Sequence, residues 1–207
     1  MEAAPKGHPD RATFLTNLWL CCSSRYERTG NVQDLDAAIA HLEVVVQATP
    51  GDHSDRVVRL NSLGKYYRSR YEQTGNVQDL GAAIDRSEEA LGAAPEGHPD
   101  RASLINNLGL CFGSRYQKTG NMQDLEAAIT RSVTAVEATP EDHADRAIML
   151  NNLGYQLSTR YKRTGNLQDL EAATYRGIRG GTEDNTKGSP GLRNDAGQSW
   201  AVLYLTV

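Results

Sequence analysis

Four histidines, His8, His53, His98 and His143, stand 45 residues apart without drift. Each is followed two and three residues later by Asp-Arg, and Thr-Gly-Asn recurs at 29–31, 74–76, 119–121 and 164–166. Residues 8–52 and 98–142 agree at 26 of 45 positions, and fourteen positions hold the same residue in all four copies, with no gap anywhere. A gapless period of this length constrains the fold more than any other feature of the chain. It calls for units of one shape stacked in one direction, each burying its apolar face against the next.

Each unit reads as two helices, A and B. In helix A, Leu15, Leu18, Cys22 and Tyr26 fall at i, i+3, i+7 and i+11, as do Leu60, Leu63, Tyr67 and Tyr71, and then Ile105, Leu108, Phe112 and Tyr116. That spacing is one face of a 3.6-residue period, not of a strand. Gly7, Asp52, Gly97 and Asp142 are the expected N-caps, with Pro, Ser or Ala in the first turn. Gly30 and its equivalents are expected to end helix A in the left-handed conformation. Asp34 is the expected N-cap of helix B, with Asn31 as the alternative. Leu35, Ala38, Ile39, Leu42, Val45 and Val46 form its stripe. Ala37-Ala38, small in every copy, let two helices approach closely. Thr49-Pro50, then Pro95 and Pro140, end the unit.

These residues resemble a tetratricopeptide repeat (TPR). Leu63-Gly64, Gly75, Ala83, Ala90 and Pro95 fill the Leu-Gly, Gly, Ala, Ala and Pro slots of that pattern, and the Ala83–Ala90–Pro95 spacing matches its consensus. The lengthened repeat resembles those of kinesin light chains and, more closely, the long arrays of multidomain fungal proteins. The resemblance implies an all-α, right-handed α-solenoid of four tandem helix-turn-helix repeats with an irregular C-terminal tail. Two departures stand out. Trp19 replaces the helix A glycine in repeat one, which predicts looser or shifted packing. Ser87 and Ser132 replace the usual aromatic in helix B, which predicts a weaker contact between helices.

The expected organisation is 1–7 as the remnant of a preceding repeat, 8–52, 53–97, 98–142 and 143–181 as repeats one to four, and 182–207 as a disordered or irregular tail. The fourth helix B carries Gly177, Gly180 and Gly181, each costing about 1 kcal/mol against Ala in a helix, and is expected to fray. Pro5 stands in register with Pro50, so the chain reads as a fragment of a longer array. A genuine cap formed by 200–207 is the alternative.

A net charge of −4 gives no electrostatic reason to expect nucleic acid or an anionic membrane as partner. No stretch approaches the apolar length of a membrane span, and Met1–Asp10 has no apolar core of a signal peptide. Cys21, Cys22 and Cys111, an odd number without framework spacing, are expected to be reduced, buried thiols of a cytoplasmic protein. The four loop histidines stand too far apart for one metal, and no phosphate loop or catalytic triad is apparent. No enzyme activity, cofactor or metal is therefore expected. Arg11, Arg25 and their equivalents are expected in inter-repeat salt bridges or capping helix carbonyls.

By the resemblance, helix A lines the concave surface, which places Asn61, Asn106 and Asn151 in a groove. A row of amides can hold an extended peptide backbone without reading its sequence. Lys65, Arg68, Leu110 and Tyr155 are the variable groove positions, with Lys65 and Arg68 favouring an acidic peptide. Asn17, Asn107 and Asn152 are expected nearer the adjoining helix, bracing it. The expected function is a scaffold that binds a protein or peptide segment in this groove. The alternatives are a regulatory arm of a larger NTPase or caspase-like peptidase and a remnant without function. Exposed apolar faces at the two ends suggest end-to-end self-association.

Overall fold

The Thr-Gly-Asn triplet is a complete joint between two helices. In a computed structural model that describes residues 11–173, Gly30, Gly75, Gly120 and Gly165 have φ of +66°, +71°, +70° and +73°, the left-handed conformation expected of them. Each glycine N–H donates to the tyrosine carbonyl four residues earlier at 2.7 Å. Thr29 Oγ1 donates to the Arg25 carbonyl at 2.8 Å and accepts the Asn31 N–H at 3.2 Å. Asn31 Oδ1 then accepts the Gln33 N–H at 2.9 Å. Thr74 with Asn76, Thr119 with Asn121, and Thr164 with Asn166 repeat the arrangement. Three residues thus satisfy backbone groups that both helix ends would otherwise leave open.

Two expectations about helix starts are corrected. Asn31, not Asp34, caps helix B: it has extended backbone (φ −72°, ψ 115°), while Asp34 lies one turn inside the helix, buried against Arg25. Helix A starts later than Asp52, Gly97 and Asp142 suggest, because the histidine occupies a turn of its own. The N–H of His53, His98 and His143 donates to the carbonyl of Pro50, Pro95 and Pro140. Each histidine Nδ1 then accepts the N–H of Asp55, Asp100 or Asp145 at 3.1 Å. The imidazole takes the place usually filled by a capping hydroxyl or carboxylate, which gives the 45-residue histidine period a structural cause.

The chain divides into two units, 1–131 and 132–207. The first contains α1 (Arg11–Thr29), α2 (Val32–Ala48), α3 (Asp55–Thr74), α4 (Val77–Ala93), α5 (Arg101–Thr119) and the first part of α6 (Met122–Glu137). These helices pack in series, α1 on α2, α2 on α3, α3 on α4 and α4 on α5, with α3 also meeting α5. The stacking is that of an all-α solenoid of helical repeats. The full expected stripe of α2 is buried, and so are Leu60, Leu63 and Tyr67 on α3. Leu18 departs from the pattern and is exposed, whereas Trp19 beside it is buried with its indole N–H lacking an acceptor.

Ser87 does not weaken the α3–α4 contact as its small size suggested. It is buried, and a Cβ placed on Gly64 would stand 2.6 Å from its Oγ. The short serine and the glycine together let the two helices touch. Cys111 is buried as expected, but Cys21 is exposed and Cys22 half-buried.

The second unit contains the rest of α6, α7 (Arg146–Thr164) and a helix beginning at residue 167, described as far as 173. Ala135, Val136, Met149, Leu150, Leu153, Leu157 and Ala173 are buried in it. Among the described residues there is no strand. The expectations for 1–7, for the fraying of the fourth helix B and for the 182–207 tail lie outside the described residues.

Candidate functional site

Two sets of arginines fix where the helix A faces point. Within each repeat, Arg70, Arg115 and Arg160 donate through Nε and Nη2 to both carboxylate oxygens of Asp79, Asp124 and Asp169 at 2.6–3.0 Å. Arg25 pairs with Asp34 in the same register. These carboxylates are buried, and the fork geometry of a guanidinium suits them. The hydrogen bonds to Asp79, and secondarily to Asp36, hold the Arg70 guanidinium above its ordinary pKa. The second set caps the preceding helix B. Arg56 Nη1 donates to the carbonyls of Val46 and Thr49 at 3.2 and 2.8 Å, Arg101 to those of Leu91 and Ala94, and Arg146 to those of Val136 and Thr139. The expected salt bridges are therefore mainly within a repeat, and the carbonyl capping runs between repeats.

On this frame, one side of α3 and α5 carries the expected groove residues of the first unit. Asn61 is half-buried, and its Oδ1 accepts a hydrogen bond from Asn107 Nδ2 at 3.0 Å. That bond ties α3 to α5 and leaves the Asn61 amide hydrogens without a partner among the described residues. Asn106 is buried, at 7 % exposure, and so sits beneath the surface row rather than on it. Lys65 is exposed, while Arg68 is half-buried and donates to Glu72 at 2.5 Å. The local positive charge is accordingly that of Lys65, with Arg68 balanced by Glu72. Leu110 is half-buried on α5. In the second unit, α7 carries Asn151, half-buried, and Tyr155, exposed.

Sequence reasoning missed two residues of this face. Glu72 stands four residues after Arg68, a spacing that pairs charges on a helix. Val58, half-exposed, lies one turn before Asn61. Tyr67, on the opposite side, donates its hydroxyl to Glu43 Oε1 at 2.5 Å, and burial followed by that hydrogen bond raises its pKa above the ordinary tyrosine value. Among the described residues, no three His, Cys, Asp or Glu side chains stand together as a metal site, and no helix is long and apolar enough to cross a membrane.

Residues 57–100 match the family model of the tetratricopeptide repeat. The fold is similar to BtubC (BKLC) from P. vanneervenii, at TM-score 0.59 and 21% identity, covering 87% of this chain and 70% of that one. It is also similar to a kinesin-light-chain candidate of Podosopora anserina with nearly identical TPR-like repeats, at TM-score 0.55 and 17% identity, covering 85% and 79%. At these identities the likeness concerns the fold. No curated protein matches the chain in sequence. The match at residues 57–100 is to a repeat that generally mediates contacts between proteins, and period, joint chemistry and fold agree on tandem helix pairs similar to it.

Proposed function

We propose that the chain is a binding scaffold whose helix A face takes up a protein or peptide segment in extended form. The reading assigns it no catalysis and no cofactor. The observation that carries it is Asn61. Its oxygen is committed to Asn107, so its orientation is set before any ligand arrives, and its two N–H donors have no acceptor among the described residues. A preset amide donor suits a peptide carbonyl, because it binds backbone without demanding a particular side chain and loses little entropy on binding. Lys65 adds one exposed cation beside it, Val58 and Leu110 add apolar surface, and Arg68 is held by Glu72. The favoured ligand is a segment carrying an acidic residue. Asn151 and Tyr155 offer the second unit a face of the same kind. A cytoplasmic setting belongs to this reading, in keeping with the free thiols of Cys21, Cys22 and Cys111.

Selection of a random peptide display library on the full chain tests it. Asn61→Ala and Lys65→Glu should each weaken the selected peptides about tenfold, the size of one lost hydrogen bond or ion contact, with the helical circular dichroism unchanged. Selected peptides that bind both variants as tightly as the parent would place the site elsewhere and remove the proposal.

A further inference from the structure

Residues that recur in every repeat serve the stack, whereas a set peculiar to one repeat is not required by it. Asn61, Lys65, Arg68 and Glu72 fall at i, i+4, i+7 and i+11 of α3, on one face of the helix. The position of Lys65 is Leu20, Leu110 or Tyr155 in the other repeats, and that of Arg68 is Ser23, Gly113 or Ser158. None of these is charged, and α1, α5 and α7 form with them. Lys65 and Arg68 are therefore dispensable for the helix pair, and repeat two alone places two cations on this face.

The two cations are not in the same state. Lys65 is exposed and makes no ion pair among the described residues. Arg68 Nη1 meets Glu72 Oε1 at 2.5 Å, with side chains 25 % and 48 % exposed. A pair of this kind adds little stability, but it decides the local charge, because guanidinium and carboxylate cancel. Glu72 has no rival in that role. The other carboxylate on α3, Asp55, is held by Arg59 in the first turn, and α5 has no Asp or Glu. Arg70 and Arg115 are each held by a buried aspartate, and Lys118 lies off this face by the helical period. What remains on the face is the single positive charge of Lys65.

We propose that Glu72 is the specificity-determining residue of this face: it cancels Arg68, so that the face takes a segment bearing one carboxylate and disfavours one bearing a phosphate in its place. The inference rests on the helix A face being a peptide-binding surface, and it adds which anion that surface takes. A carboxylate opposite Lys65 matches the one free charge. A phosphorylated serine or threonine carries about −1.5 to −2 at neutral pH, and gains from its extra charge only by reaching Arg68. Glu72 already occupies that guanidinium and repels the phosphate from about a helical turn away, within the range where salt screens little. The discrimination thus comes from a repulsive element beside the attractive one. Asn61 does not contribute to it, since a preset amide donor serves a backbone carbonyl equally well in both segments.

The test uses the full chain and one display-selected peptide, synthesised with either Asp or phosphoserine at its acidic position. Titration calorimetry gives the ratio of the two affinities for wild type, Glu72→Gln and the double variant Arg68→Gln/Glu72→Gln. Wild type should bind the Asp peptide at least as tightly as the phosphoserine peptide. Glu72→Gln releases Arg68 and should raise the phosphoserine-to-Asp ratio about tenfold, the size of one charge contact at a half-exposed site. Removing Arg68 as well leaves Lys65 alone again, and the double variant should return to the wild-type ratio. Wild type that binds the phosphoserine peptide about tenfold more tightly overturns the proposal without recourse to any variant. So does a ratio that Glu72→Gln leaves unchanged, or a selection in which no acidic residue recurs. Peptides that bind Asn61→Ala and Lys65→Glu as tightly as the parent would instead refute the binding face itself.

Discussion

Gly64 and Gly154 hold the same repeat position, and the structure gives them opposite responses to one methyl group. Replacing a helix-interior glycine by alanine gains about 1 kcal/mol from backbone entropy alone. At Gly154 the added Cβ meets nothing nearer than the Ala173 carbonyl at 3.8 Å, an ordinary contact. Gly154→Ala should therefore stabilise the protein by roughly 0.5–1 kcal/mol. At Gly64 the Cβ would stand 2.6 Å from Ser87 Oγ and 3.2 Å from the Ala83 carbonyl. Ser87 is buried beside Cys111 and has little room to turn, and the carbonyl belongs to the α4 backbone. Forcing such a contact costs about 1–3 kcal/mol. Set against the entropic gain, Gly64→Ala should destabilise the protein by about 1 kcal/mol. Urea unfolding followed by circular dichroism at constant m-value measures both variants. Adding Ser87→Ala to Gly64→Ala removes the nearer of the two contacts and should recover most of the loss. A Gly64→Ala variant as stable as Gly154→Ala would refute the close α3–α4 approach.

Gly75→Ala tests the joint: φ is +71° there with open space around the Cβ position, so the cost is strain alone, about 1–2 kcal/mol, and Gly75→Asn should lose less in the same denaturation assay. Arg70→Met leaves the Asp79 carboxylate buried without its guanidinium, which should cost about 3 kcal/mol at neutral pH by urea unfolding. Cysteine reactivity toward a thiol reagent at pH 8 should give one fast group, Cys21. Cys22 should follow more slowly, and Cys111 should react only on unfolding, because burial raises the pKa of both. Equal rates for all three would contradict the packing of α4 against α5.

The helix pairs were legible in the sequence because their causes are local. The apolar period marks the buried faces, and a Thr-Gly-Asn joint needs only its own residues to close. What escaped depended on partners. Asn31 and Asp34 are both good capping residues, and the one that enters the helix is the one Arg25 draws in. A histidine that accepts a backbone N–H through Nδ1 lies outside the usual capping types, so the start of helix A was read too early. Leu18 and Leu63 are the same residue in the same register, but burial belongs to the neighbour that covers them. The same holds for the candidate site. Repeat register placed Asn61 and Asn106 together, whereas the surrounding side chains leave one half-exposed and the other buried. The neutralisation of Arg68 by Glu72 was readable from i,i+4 spacing.

The central claim, that the helix A face is the binding surface, is tested most directly by chemical-shift mapping on the isotope-labelled full chain, titrated with a peptide from the display selection. The largest shifts should fall on Val58, Asn61 and Lys65 of α3 and Leu110 of α5, including the side-chain amide of Asn61. Shifts confined to the exposed faces of α2 and α4, with the Asn61 amide unmoved, would contradict it.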